Sequence, residues 1–217
     1  MKVLVFDTET SGLPLGRNPS ILETEKWPYI VQLSYVVYDT LENKLLVCND
    51  RIIKIPKEVS ISEESISLHG ITHDISNTKG INLKTAINEF NNYLKDCDLV
   101  IGHNISFDKR MIMVESIRQH MRQHFTTSGV RKPEYCTMKN SVDICQIEAV
   151  SKKGEKYFKY PNLTELYKKL FSDTHKNVHN SLIDVILCLR CYCKLSHNVD
   201  IKEIGCQDTQ TLFHLLK

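Results

Sequence analysis

The chain has 217 residues, 41% hydrophobic and 25% charged, with a formal charge of +2 and a sequence pI near 8.1. That size suits one α/β domain with at most a short tail, and no apolar run approaches the roughly 20 residues needed to span a bilayer. The charge is too mild to announce a nucleic-acid binder by itself.

Lys2–Thr8 carries apolar residues on both parities, the pattern of a strand buried on both faces in the middle of a sheet. Because this segment opens the chain, a cleaved leader or membrane anchor is not expected. The eight cysteines then read as reduced thiols of a cytoplasmic or nuclear protein. After a Gly/Pro/Asn-containing loop over 11–28, Tyr29–Asp39 reads as a second strand, a turn at Asn43 follows, and Leu45–Ile55 is its hairpin partner. Residues 60–80 read as a loop containing His69-Gly70-Ile71-Thr72.

Leu83–Leu94 has helical periodicity, Asp98–Gly102 is a second buried strand, and a long helix runs from Ile105 to about His124. Val130–Pro133 breaks the pattern, a strand is expected within Cys136–Ile147, and Leu163–Phe171 and Ser181–Leu195 are further helices. The expected order is βββ-α-β-α-β-α-α, an α/β fold with a mixed five-stranded sheet: a three-strand antiparallel meander plus two further strands, flanked by helices. The domain is expected over residues 1–196, with 197–217 a tail forming a short helix packed on it. The tail sequence QDTQTLFHLLK superficially resembles sliding-clamp-binding peptides, but its glutamine spacing does not fit cleanly, so a docked amphipathic helix is favoured. Cys188, Cys191 and Cys193 lie close together, yet inside an apolar helical run with no partner pair elsewhere; core packing is preferred to a zinc site.

The acids are more informative. Asp7 and Glu9 are two residues apart at the end of the apolar first strand, so period two puts both carboxylates on one face. Two anions that close repel unless a cation lies between them, and hard magnesium or manganese ions suit carboxylate oxygens. Alone, such a pair is more often two surface acids. Asp108 lies one turn into the helix that follows Gly102, with Asn104 a natural N-cap; alone it reads as favourable charge at a helix start. Ser181-x-x-Asp184 has the form of a capping box opening the last long helix. His179 is not explained by capping. Five residues rotate a helix by about 140° net, so it reaches the face of Asp184 only from the preceding loop, a suitable place for a general base.

Phe6 to Pro14 (FDTETSGLP), Gly102 to Asp108 (GHNISFD) and His179 to Asp184 (HNSLID) resemble the three motifs of the DnaQ-like DEDD superfamily of 3′→5′ exonucleases. The resemblance runs from Lys2 to about Leu195 and includes the HGIT tetrad and the PNLTELYKKLF run. Histidine five residues before the last acid assigns the DEDDh subgroup. Ser181 departs from the usual alanine but is small enough for the same packing. The resemblance implies an RNase H-like fold and a two-metal-ion phosphodiester hydrolase releasing nucleoside 5′-monophosphates from the 3′ end. It implies that Asp7, Glu9, Asp108 and Asp184 hold two Mg²⁺ or Mn²⁺ ions and that His179 takes the proton from the attacking water. It further implies that Thr10, Gly12, Leu13 and His69 line the pocket of the terminal nucleotide, with Asn104 and Phe107 beside the next. For Phe107, core packing with Met111 and Val114 is an equal alternative.

The expected partner is nucleic acid with a free 3′ end, single-stranded by preference, and no membrane. DNA is favoured, in proofreading or repair and with replication proteins as conceivable associates. RNA 3′-end trimming is the runner-up, and an inactive nucleic-acid-binding module is disfavoured by the complete acid set. Two basic stretches remain open. Ser151–Tyr160 interleaves lysines with aromatics, as single-strand binders do, or is a solvated loop. Arg118, Arg122, Arg131 and Lys132 form either an outer phosphate track or a helix's wet face.

Overall fold

A computed structural model describes residues 1–173 and 180–214. Its centre is β1 (Lys2–Thr10), flanked by antiparallel β2 (Ile30–Asp39) and parallel β4 (Leu99–Gly102); β3 (Lys44–Ile52) extends the β2 side and β7 (Glu134–Cys136) the β4 side. The sheet order is β3-β2-β1-β4-β7, with two antiparallel and two parallel pairings. The expected five-stranded mixed sheet with its antiparallel meander is therefore present. Two short ladders stand apart from it, β5 (Thr126–Thr127) with β6 (Val130–Arg131), and β8 (Glu148–Val150) with β9 (Lys156–Phe158).

Period two divides β1 between two cores. Leu4 and Phe6 face α3 (Leu83–Asp96) and α4 (Ile105–Arg118), where Phe90, Leu94, Ile112 and Val114 are fully buried. Val3 and Val5 face α7 (Ser181–His197), meeting Val185, Ile186, Leu189 and Tyr192. A strand apolar on both parities can only be central, and β1 is. The same alternation carries Asp7 and Glu9 onto the α7 face and Thr8 onto the α4 face.

Four element expectations need correction. Residues 60–80 are not an open loop: they form α1 (Glu63–His69) and α2 (His73–Lys79), capped by the Ser62 and Thr72 hydroxyls, with Gly70 taking the left-handed φ of 73° that ends α1. Alpha-4 stops at Arg118 rather than near His124, because the Met121 N–H folds back to the Ser116 carbonyl and His120 takes a positive φ of 53°. The strand expected within 136–147 lies earlier, at β7, and the chain then turns through a 3-10 segment into α5 (Val142–Cys145). Pro133 directly precedes β7, and its carbonyl accepts from the Val100 N–H, starting the pairing before Cys136. Leu45–Ile55 ends as a strand at Ile52.

Toward the C-terminus come α6 (Leu163–Phe171), α8 (Ile201–Ile204) and α9 (Gln207–His214). Leu212 and Phe213 of α9 are buried in the α7-side core. Cys188 and Cys193 pack in that core while Cys191 faces α6 with Leu166 and Tyr167. The three thiols therefore point into two different apolar clusters, which fits core packing, and burial pushes all three above their ordinary range. Among the described residues no helix is long and apolar enough to cross a membrane.

Candidate metal-dependent nuclease site

The carboxylates converge where β1 ends. Oxygens of Asp7, Glu9 and Asp184 all lie within 4.8 Å of one another, and all three side chains stay partly accessible. Asp108 sits behind them, only 3% exposed. Its Oδ1 accepts from the Thr8 backbone N–H at 3.0 Å and from the Thr8 hydroxyl at 2.8 Å. Thus DTE works as a unit: its two acids face α7, and the threonine between them orients the acid from α4.

Each acid has a structural reason for its place. Gly102 ends β4 where a Cβ would meet the Ile105 Cβ at 3.1 Å and its Cα at 3.2 Å, so the missing side chain lets α4 start close against the strand. Asn104 does not N-cap α4 with its side chain as expected. It adopts the left-handed conformation (φ 64°) and its carbonyl accepts from the Phe107 N–H at 2.9 Å. The capping box at Ser181 is also corrected. Asn180 is the N-cap of α7, its Oδ1 accepting from the Leu182 and Ile183 N–H groups at 3.2 and 3.4 Å. Ser181, fully buried, instead donates its hydroxyl to the Asp7 carbonyl at 2.8 Å, pinning α7 to β1 and bringing Asp184 to the cluster.

The crowding has an electrostatic cost. Burial raises Asp7 to about 6, with the Ser181 hydroxyl opposing the rise. Glu9 is pushed up to about 9, first by burial and then by the charges of Asp7, Asp184 and Asp108. Asp108 is held well above the usual carboxylate range by burial and by Asp7, against its Thr8 hydrogen bonds. Among the described residues no lysine or arginine enters these balances. Three accessible carboxylates and a buried fourth form an all-oxygen donor set suited to hard divalent cations, which would reverse those shifts.

The other expected site residues fall into two groups. Thr10 donates its hydroxyl to the Gly12 carbonyl at 2.8 Å, and the Thr10 carbonyl lies 3.2 Å from His69 Nε2. His69 Nδ1 accepts from the Ile71 N–H at 3.0 Å, so Nε2 carries the proton donated to Thr10. Leu13, Asn104 and Phe107 line a separate cleft of about 370 Å³, walled by Pro14, Trp27 and Arg110. Phe107 also packs against the core formed with Met111 and Val114. His179 lies outside the described residues.

Of the second basic stretch, Arg118 is neither a phosphate track nor a wet face. Its side chain is 10% exposed, pairs with Glu115 at 2.9 Å, donates to the carbonyls of Thr24, Trp27 and Pro28, and lies over the Tyr29 ring. Arg122, Arg131 and Lys132 instead line a cleft of about 390 Å³ with Lys95 and His124. Sequence reasoning passes over Thr8 and His103. His103 lies 3.1 Å from the Pro161 carbonyl through Nε2 and 3.0 Å from the Thr137 hydroxyl through Nδ1. Burial lowers it to about 4, with the Pro161 carbonyl opposing, so it is a neutral strut. The signal for Thr8 is its place between two acids on the opposite parity; for His103 there is none.

A mixed sheet centred on its first strand, ending in a cluster of four acids from that strand and two helix starts, defines a carboxylate nuclease fold. The family comparison agrees: the model described as Exonuclease, of the RNase T type, matches residues 4–192. The chain belongs to this exonuclease family, the DnaQ-like 3′→5′ exonucleases. Among solved structures, apo exonuclease I superposes with a TM-score of 0.65 at 13% identity, covering 99% of this chain and 44% of that one. E. coli exonuclease I in complex with a dT13 oligonucleotide gives 0.65 at 15%, covering 99% and 43%. The zinc-bound E. coli ExoI–ssDNA complex gives 0.64 at 15%, covering 98% and 43%. At that identity the likeness is one of fold, and the chain spans less than half the length of those structures. No curated protein sequence matches the chain.

Proposed function

We propose that this chain is a divalent-metal-dependent exonuclease that removes nucleotides one at a time from the 3′ end of single-stranded nucleic acid, DNA by preference, releasing nucleoside 5′-monophosphates. The observation that carries this is the meeting of Asp7, Glu9 and Asp184 oxygens within 4.8 Å, backed by Asp108. Asp7, Glu9 and Asp184 would hold one Mg²⁺ or Mn²⁺, and Asp7 with Asp108 a second. Such ions, when bound, polarise the phosphate, lower the pKa of a coordinated water and neutralise the leaving 3′ oxygen.

The chain's own groups do the rest. His179 accepts the proton of the attacking water; its ordinary pKa near 6.5 suits neutral solution. The cleft of Leu13, Asn104 and Phe107 and the turn of Thr10, Gly12 and His69 seat the last two nucleotides. Residues 1–196 form the nuclease unit, and the tail buttresses it. The oligonucleotide-bound forms of exonuclease I lend support to a single-stranded substrate, which suits proofreading or repair.

The test is parallel hydrolysis of 3′-labelled single-stranded DNA, duplex DNA and RNA with Mg²⁺, Mn²⁺ or EDTA. Single-stranded DNA is expected to be shortened fastest, with mononucleotide products and none in EDTA. Full activity in EDTA would sink the metal assignment. Faster loss of RNA would transfer the function to RNA 3′-end trimming, where the 2′-hydroxyl is the discriminating group.

A further inference from the structure

The β8–β9 hairpin does nothing for the core and keeps a surface that water disfavours. Val150 is 65% exposed, Tyr157 51%, Phe158 45% and Tyr160 58%. Its register pairs Glu148 with Phe158 and Val150 with Lys156, so alternation puts Val150, Lys156 and Phe158 on one face and Tyr157 on the other. A two-stranded hairpin outside any larger sheet is marginal in water, and clustered exposed aromatics on such an element mark a binding surface.

Charge indicates what binds. Residues 148–160 contain four lysines and two glutamates, a local charge of +2. Lys156 pairs with Glu148 and Lys159 with Glu165, whereas among the described residues neither Lys152 nor Lys153 is ion-paired, not even with Glu155 at the same turn, so both can meet another anion. Aromatic faces with flanking cations suit stacked bases and a phosphate backbone.

The hairpin is also tied to the acid site. At its base the Lys159 N–H donates to the Ile147 carbonyl at 2.9 Å, and the following Pro161 carbonyl accepts from His103 at 3.1 Å. His103 belongs to the turn between β4 and α4 that also holds Asn104 and leads into Asp108. Three-residue arms extend about 10 Å, comparable to roughly three stacked nucleotides at about 3.4 Å each.

We propose that this hairpin is a single-strand platform around which the strand passes: Phe158 stacks on a base at one face and Tyr157 on a base at the other, both 5′ of the terminal nucleotide, and Lys152 and Lys153 at the turn hold the phosphates between them. The assignment rests on the exonuclease reading for its substrate, but its test does not depend on turnover. A 5′-labelled 12-nucleotide oligothymidylate is titrated by fluorescence anisotropy in EDTA, and hydrolysis of that 12-mer and of a dinucleotide is followed in Mg²⁺. The Tyr157→Ala/Phe158→Ala double variant is expected to bind the 12-mer about tenfold or more weakly and to raise KM on it with little change in kcat. Dinucleotide hydrolysis should stay within about twofold, and Tyr157→Phe should retain wild-type affinity, since stacking needs the ring and not the hydroxyl. The Lys152→Ala/Lys153→Ala variant should lower the slope of log Kd against log salt by about 0.7 for each phosphate no longer neutralised. Unchanged 12-mer affinity in both double variants, or equal losses on dinucleotide and 12-mer, would overturn the platform. Wild-type protein that binds the 12-mer through these residues but releases no mononucleotide would overturn the exonuclease reading and leave the platform standing.

Discussion

Asp108 shows how one residue's role depends on a neighbour of the opposite parity. Its buried carboxyl is oriented by two hydrogen bonds from Thr8, and a hydrogen bond to an uncharged group contributes about 0.5–1.5 kcal/mol. Thr8→Val keeps the shape and the backbone bond but removes the hydroxyl. It is expected to lower stability by about 1 kcal/mol in urea denaturation and to raise the Mg²⁺ concentration needed for half-maximal activity. Removing a ligand is more severe: Asp7→Asn should cut turnover about a hundredfold or more, while wild-type turnover would take Asp7 out of the site. The raised pKa values set a pH dependence for the metal-free protein. Asp7 at about 6 and Glu9 at about 9 hold protons in the fold that the unfolded chain releases nearer 3.8 and 4.5. Their contribution is fully present below the unfolded values and is lost as pH rises through 6 and then 9. In EDTA the Tm should therefore fall between pH 5 and 9, and added Mg²⁺ should raise it more at pH 8.5 than at pH 5.5. An equal Mg²⁺ effect at both would contradict the carboxylate donor set.

Helix starts position the site at the next scale. Alpha-7 delivers Asp184 because Asn180 caps it and Ser181 ties it to the Asp7 carbonyl. Losing an Asn cap costs about 1 kcal/mol, so Asn180→Ala should lower stability by that amount and lower activity as Asp184 loosens; activity unchanged at unchanged metal affinity would deny the cap that role. The motif is legible at this scale but its internal roles are not. HNSLID marks a helix beginning, yet serine followed three residues later by an acid suggests the wrong cap. Only β1 beside the helix shows that the Ser181 hydroxyl has a better acceptor outside it. Asn104 misleads for the same kind of reason: the tight exit from Gly102 forces the left-handed conformation, which takes its side chain off the cap.

Across the whole molecule, the two cores on either side of the sheet fix which helices face which acids. The C-terminal helix belongs to the α7-side core through Leu212 and Phe213. Phe213→Ala should cost about 3 kcal/mol by thermal or urea denaturation and leave turnover at low temperature unchanged, because Phe213 lies in the core and not among the acids. A stability unchanged by that substitution would leave the tail available as a partner-binding peptide. A second hub, Arg190, is 7% exposed at its side chain, pairs with Asp200 at 2.6 Å and lies 3.8 Å over the Phe171 ring, joining α6, α7 and the segment before α8. Arg118 likewise joins α4 to the loop after β1.

The amino-acid order alone determined the central strand, the meander, the starts of the long helices and the four acids, because period two, period 3.6 and motif spacing are local properties of a chain. It also settled the shared face of Asp7 and Glu9. What only the tertiary structure decided are pairings between segments 85 to 174 residues apart: Thr8 with Asp108, Ser181 with Asp7, and the Ile30 N–H with Glu115. The same holds for Arg118, which its sequence neighbourhood suggests is a wet cation and which the fold turns inward onto Glu115 and three carbonyls. Hydrogen bonds and ion pairs are satisfied by whatever the fold brings near, and sequence spacing carries no record of that choice.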